Sequence, residues 1–259
     1  MLETVNSPFA QRAETEQGQN GPPMDVLECP GTDETPDWDS LYRTRGQEVV
    51  AYRPVFTGDV FFHVPIGDNS PNVAILQHPC AIRVDGVTLQ PSLLVAEVAP
   101  LDALKPSRWG SHNYKQMPLP ALQLEQRPAD YAVFFVKCHV ITPTDLNAGE
   151  RVACLSQQGV NLLMQRWVHH NSRVVISTQR YQDVTSPQYE EADMTEDWCT
   201  DRDDDGISSE NATLEIDAWL SNTIAPGETR RDQLQDPQKR STLRRELRDH
   251  LRGLRAGTT

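Results

Sequence analysis

A run of thirteen residues, DYAVFFVKCHVIT from Asp130 to Thr142, constrains this chain more than any other part of it. It contains neither glycine nor proline, and β-branched and aromatic side chains dominate it. Such side chains suit a pleated, half-buried surface and crowd the turns of a helix. A strand this long is not stable alone; it needs partner strands and an apolar face to pack. Neighbouring runs supply the partners. EVVAYRPVFTGDVFFHVPI turns at Gly58-Asp59 into a short apolar strand, Val60 to Val64. In NVAILQHP both faces of Val73 to Leu76 are apolar, the pattern of a central strand. SLLVAEVAPL, after a tight turn at Asp85-Gly86, and ERVACLS complete the set, with Lys105 to Arg127 as a long loop.

The period then changes. In SQQGVNLLMQRWVHHNSR, Val160, Leu163, Met164 and Trp167 recur at helical spacing behind an N-cap at Ser156, which predicts a helix over about 157–169 laid on the sheet. SRVVIST reads as a returning strand. The expected fold class is therefore mainly β, an α+β arrangement of a small SH3-like β-barrel over 46–182 with one packed helix.

Outside that body the chain is polar. Hydrophobic residues make up 37 % and prolines number nineteen, which points to segments that do not pack. Residues 1–45 read as a mobile acidic arm and 183–235 as an acidic linker. SSENATLEIDAWLSN within the linker fits a short helix, although Ala212, Leu214, Ile216, Ala218 and Leu220 also alternate. At 236–256 the reading is a basic amphipathic helix. Asp236-Pro237 starts it, Leu243, Leu247, Leu251 and Leu254 form its stripe, and Arg240, Arg244, Arg245, Arg248 and Arg252 flank the stripe. It either docks on its own body or binds a partner.

The net charge of −13 disfavours RNA or DNA as a partner, because phosphate backbones repel an acidic surface. The start of the chain lacks a basic segment followed by an apolar run, and no stretch reaches membrane-spanning length, so a cytoplasmic protein is expected. Five scattered cysteines, Cys29, Cys80, Cys138, Cys154 and Cys199, suit reduced thiols. GxGxxG, P-loop, GxSxG and HExxH patterns are all missing, so no cofactor is expected.

Chemistry has few places to reside. His78 and Cys80 flank Pro79 at a strand end, with Arg83 close by, so a thiol nucleophile with a base and a cation is one candidate. Cys138 and His139 could complete a zinc set with them, but adjacent strand residues point to opposite faces; Cys138 groups with Ala132, Phe134, Val136 and Val140 on an apolar face, and no metal is assigned. DRDDDG from Asp201 resembles the start of an EF-hand loop, yet its twelfth position is Ala212. Lys137 joins His78, Cys80 and Arg83 as a catalytic candidate. Asp59, Trp109 and His112 of the long loop, His139, Arg244 and Arg248 are the binding candidates.

Three strand motifs carry a resemblance. TGDVFFHVP, with Gly58, Asp59 and Val60, NVAILQ and LLVAEVAP resemble successive strands of the MazF/PemK toxin ribonucleases. The resemblance implies a small SH3-like barrel and endoribonuclease activity within a toxin–antitoxin pair. That family places a catalytic Arg before its second strand, where this chain has Pro71-Asn72, and a Thr or Ser after its third, where this chain has Val98-Ala99. Residues after about 185 would then cover a basic groove. The leading expectation is a non-catalytic interaction or regulatory protein that binds a protein partner through its barrel groove and C-terminal tail, with a homodimer left open. An endoribonuclease, or a thiol or metal site at His78 and Cys80, is the alternative.

Overall fold

The structure is a computed structural model, and it describes residues 27–31, 35–83, 88–101, 109, 114–123 and 129–257. His112, the turn at Asp85-Gly86 and the first 26 residues of the expected arm lie outside them. Seven strands, β1 (Tyr42–Arg45), β2 (Val60–Phe62), β3 (Asn72–Ile75), β4 (Leu93–Pro100), β5 (Gln116–Gln123), β6 (Ala129–Ile141) and β7 (Glu150–Leu155), form one sheet. Their order is β1-β7-β2-β3-β4-β6-β5, every pairing is antiparallel, and the sheet curls into a nearly closed barrel. The expected fold class, a mixed α+β protein with a small barrel and a packed helix, is the observed one.

Side chains fasten the two free edges. From β1, the Tyr42 hydroxyl donates to the Pro120 carbonyl at 2.9 Å, and Arg45 donates to the Ala121 carbonyl at 2.9 Å. Pro118 and Pro120 lie on β5, where a missing N–H is tolerated because β5 is an edge strand. Burial holds the Tyr42 hydroxyl well above its ordinary pKa, so it remains a donor.

The sheet is buried on both faces. Val60, Phe62, Ala74, Ala96, Val98, Val133 and Phe135 join one core, while Phe61, Val73, Ile75, Val95 and Ile141 join another. That is the two-faced pattern expected of Val73 to Leu76. On β6 the alternation breaks. Ala96 pairs with Cys138 but Glu97 pairs with Phe134, so Phe135 to Lys137 bulge out of register. Val136 and Val140 stand 59 % and 68 % exposed, so the face expected to be apolar is open to solvent at those two positions, while Cys138 itself packs partly buried against the first core.

Helices α1 (Pro79–Ile82), α2 (Pro143–Asn147) and α3 (Gln157–Ser172) follow strands closely. Ser156 caps α3, accepting from the Gly159 amide at 3.0 Å. Gly159 has a second role: a Cβ there would lie 2.2 Å from the Leu41 carbonyl, so only glycine lets α3 press so closely on the preceding segment. Leu27, Leu41 and Tyr42 are buried, and Glu28 bonds Gln165 and Thr178. The expected boundary of the arm at 45 is thus too late, because residues 27–31 and 35–45 belong to the body.

The largest departure comes after residue 172. SRVVIST forms no strand: Arg173 ends α3 with a φ of 61°, and a connector leads into α4 (Thr178–Asp204). Helix α4 is 27 residues long and occupies the first part of the expected acidic linker, 183–204. α5 (Ser209–Ser221), a small hairpin of β8 (Thr223–Ala225) and β9 (Glu228–Thr229), α6 (Arg230–Gln233) and α7 (Pro237–Gly257) complete the chain. Tyr181, Tyr189 and Ala192 of α4 pack into the barrel core, and Met194, Trp198 and Cys199 pack into a second, all-helical core with α5 and α7. One helix therefore spans both layers. Asp236 accepts from the Gln238 amide at 2.9 Å at the start of α7, as its sequence foretells, and Leu243, Leu247 and Leu251 are buried in the helical core. No described helix is long and apolar enough to cross a membrane.

Candidate functional site

Where α4 passes from one layer to the other it leaves a cleft of about 430 Å³. The barrel wall is the segment before β2, with Tyr52, Pro54 and Phe56, together with Pro79, Cys80 and Arg83 from α1 and its end. The opposite wall comes from α4, α5 and α6, which contribute Glu191, Thr195, Ile216, Asp217, Leu220 and Arg231. The size is in the range of a small-ligand site, and apolar walls with a few polar groups match that use.

Cys80 and Arg83, both singled out in the sequence, do meet here. His78 does not act with them. It is the N-cap of α1, and its Nδ1 accepts the Cys80 amide at 3.2 Å. The nitrogen on the Cys80 side is therefore occupied by main chain. Burial lowers the His78 imidazole from its ordinary value and raises the Cys80 thiol from 9.0. At neutral pH the pair is a neutral ring beside a neutral thiol, the reverse of an activated nucleophile.

The charges of the cleft are unequal in their support. Arg231 reaches Glu191 at 3.0 Å and Asp217 at 2.6 Å and also donates to Ser221 at 2.8 Å. Burial by itself would lower its guanidinium, but the two carboxylates hold it above its ordinary value. Arg83 donates to the Val55 carbonyl at 2.8 Å and has no ion pair among the described residues. Burial lowers its pKa, outweighing the attraction of Glu191 and Asp59.

The other candidates lie elsewhere. Lys137 and His139 both engage Glu97 of β4, at 2.9 and 3.0 Å, so they form a polar rung on the sheet and not part of the cleft. Burial would raise the Glu97 carboxyl; hydrogen bonds from Lys137 and His139 overcome it and hold the group low. Asp59 is buried and accepts from the Phe56 amide at 3.0 Å and from Arg151 at 3.1 Å, which shapes the turn rather than offering a contact. Trp109 is fully buried, not displayed on an exposed loop: its indole donates to the Glu28 carbonyl at 2.7 Å and Arg166 lies 4.5 Å over its ring. Arg244 binds Glu190 at 2.6 Å and Asp193 at 3.4 Å, docking α7 on α4 within the same chain, while Arg248 is exposed. Among the described residues no group of three His, Cys, Asp or Glu side chains is placed to hold a metal, and Asp201 to Asp204 form the last turn of α4.

Beneath the cleft runs a buried charge network that sequence reasoning missed. Arg53 contacts Asp193 at 2.6 Å and Glu196 at 2.7 Å, and Arg43 reaches both acids at 3.1 Å. Burial alone would lower the Arg53 guanidinium; Asp59, Tyr189 and Asp193 reverse this and hold it above its ordinary value. The sequence signal was present, since Tyr181, Tyr189, Ala192 and Cys199 share helical spacing, but polar Thr185, Thr195 and Glu196 fill out that stripe.

No protein-family model matches the chain, and no curated protein is significantly similar to it.

Proposed function

We propose that this is a non-catalytic binding protein whose ligand or partner enters the cleft between the barrel and the helical layer. One observation carries the reading: His78 and Lys137 are committed elsewhere and the Cys80 thiol is not activated, while the cleft that Cys80 and Arg83 border stays open. His78 caps α1, Lys137 is held by Glu97, and burial raises the Cys80 thiol, leaving these candidates without a base, nucleophile and orienting group in reach of one another among the described residues. The basic helix supports the barrel groove as the binding element in place of the tail, because its leucine stripe is docked in cis.

Two experiments test this. Thermal-shift screening of the full chain against small molecules and short peptides should give stabilising hits, since a ligand that binds only the native state raises its stability. Gln235→Trp, an exposed residue lining the cleft, should abolish them without lowering the melting temperature of the free protein. Mixed RNA incubated with the full chain should remain intact. Cleavage lost on Arg83→Met would replace this reading with the endoribonuclease one. Truncation after about residue 185 is not a useful test, since Tyr189 and Ala192 belong to the barrel core.

A further inference from the structure

Resting on that binding reading, we infer that the cleft takes a small monocarboxylate with an apolar body, its carboxylate seated on Arg83. Charges removed from water in folded proteins are ordinarily paired. Around this cleft the rule holds for three arginines: Arg231 has Glu191 and Asp217, Arg53 has Asp193 and Glu196, and Arg151 has Asp59. Among the described arginines around the cleft, Arg83 is the one with no acid in contact. A single bond to the Val55 carbonyl uses one of its five N–H donors, and the acid on the opposite wall, Glu191, is already held by Arg231. A planar guanidinium with free donors at the edge of an apolar cleft matches a carboxylate in geometry as well as charge.

The remaining charges define which anion fits. Glu191 and Asp217 line the same cleft and share Arg231, so that with Arg83 the four charges balance, although neither acid is in contact with Arg83. A monoanion seated on Arg83 gives that guanidinium a direct partner and adds only a single charge to the cleft. A dianionic phosphate would add a second negative charge facing two carboxylates, and a neutral ligand would leave Arg83 as it is. Size and lining then describe the body of the ligand. Phe56, Pro79, Ile216, Leu220 and Leu234 offer apolar surface, and about 430 Å³ lies in the size range of small-molecule sites. An aryl or branched alkyl acid meets all of these terms.

Cys80 provides the reporter, since it is exposed and lines the cleft. The full chain is treated with iodoacetamide in the presence of 3-phenylpropanoate, 3-phenylpropanamide or phenyl phosphate, and alkylation at Cys80 is mapped by mass spectrometry. Calorimetric titration of the same three compounds gives affinities. The expected result is protection of Cys80 by the carboxylate, with the amide and the phosphate each weaker by about tenfold or more, the scale of a charge-assisted bond. Arg83→Met, which keeps the apolar stem, should erase the carboxylate's advantage, and Arg83→Lys should retain part of it. An unchanged near-ultraviolet circular dichroism spectrum certifies that both variants are folded. Equal protection by carboxylate and amide, unaltered in Arg83→Met, would overturn the carboxylate assignment and leave the cleft as a binding site. Tighter binding of phenyl phosphate would overturn it as well. If none of the three compounds protects Cys80 or binds at millimolar concentration, and the library screen with the Gln235→Trp control is also blank, the binding reading itself falls.

Discussion

Replacing Arg53 by Met removes the cation that two layers of the protein share. The side chain is 1 % exposed, and its Nη1 lies 2.6 Å from Asp193 and 2.7 Å from Glu196, which are 13 % and 9 % exposed. Without it, two carboxylates of α4 face the barrel with the partly exposed Arg43 between them and Arg244 at 3.4 Å from Asp193. Removing one partner of a buried pair costs about 3–5 kcal/mol, because the other charge stays behind uncompensated. The lower end applies here. Arg53 has two nitrogens, Nε and Nη2, buried with no partner among the described residues, so part of its own burial is already unfavourable. A loss of about 3 kcal/mol corresponds to a fall of about 6–12 °C in melting temperature for a chain of this size. Urea unfolding should therefore show a lower midpoint at an unchanged slope. Glu196→Met should cost a comparable amount, and the double variant should be less destabilised than the sum of the two, with a coupling of about 1–3 kcal/mol. An Arg53→Met protein within about 0.5 kcal/mol of the parent, or a strictly additive double variant, would refute the claim that this network joins the barrel to the helices.

Three further outcomes follow from the same contacts. His78, His169 and His250 all have pKa values lowered by burial, so the unfolded chain binds protons first and stability is lost as pH falls below about 6.5; His78→Asn, which can still cap α1, should match the parent at about pH 8 and outlast it at about pH 5.5 in thermal unfolding. The rate of Cys80 alkylation should keep rising with pH past 9.0, and a plateau at neutral pH would restore the activated thiol. Leu247→Ala should cost about 2–5 kcal/mol by denaturant unfolding, because Leu247 is buried in the helical core; a solvent-facing, partner-binding stripe would lose almost nothing.

The barrel was legible because its residues obey the period they need. Val73 to Leu76 is apolar on both faces and is buried on both faces; Ser156 caps α3 where its spacing begins. The bulge in β6 was not legible. Nothing in DYAVFFVKCHVIT marks Phe135 to Lys137 as the place where register slips, since that is set by the pairing with β4. Trp109 misled for a related reason: it stands in a polar, proline-containing stretch, and only the fold brings Glu28 and Arg166 around it. Of the site, Cys80 and Arg83 could be found because they follow a strand end. Their opposite wall could not, because it belongs to a helix whose buried stripe is written partly in Thr and Glu and is interrupted by Pro187, which removes an amide donor from the helix interior.

The acidic run QYEEADMTEDWCTD reads as solvated when its charges are counted and as an assembly code when their partners are named. Glu190 receives Arg244 of α7, and Glu191 receives Arg231 of α6. Asp193 and Glu196 receive Arg43 of β1 and Arg53 from the segment before β2, and Asp201 receives Arg255 at the far end of α7. Arginines from β1, the segment before β2, α6 and α7 thus converge on the acids of α4. Exposed pairs of this kind contribute little individually, but a like-charged helix with no such partners would repel itself and leave the sheet. The net charge of −13 therefore does not describe a disordered acidic tether. The acids of α4 are largely consumed by arginines from the rest of the protein, and the same consumption leaves Arg83, with no described acid in contact with it, as the place where a charge from outside is accommodated.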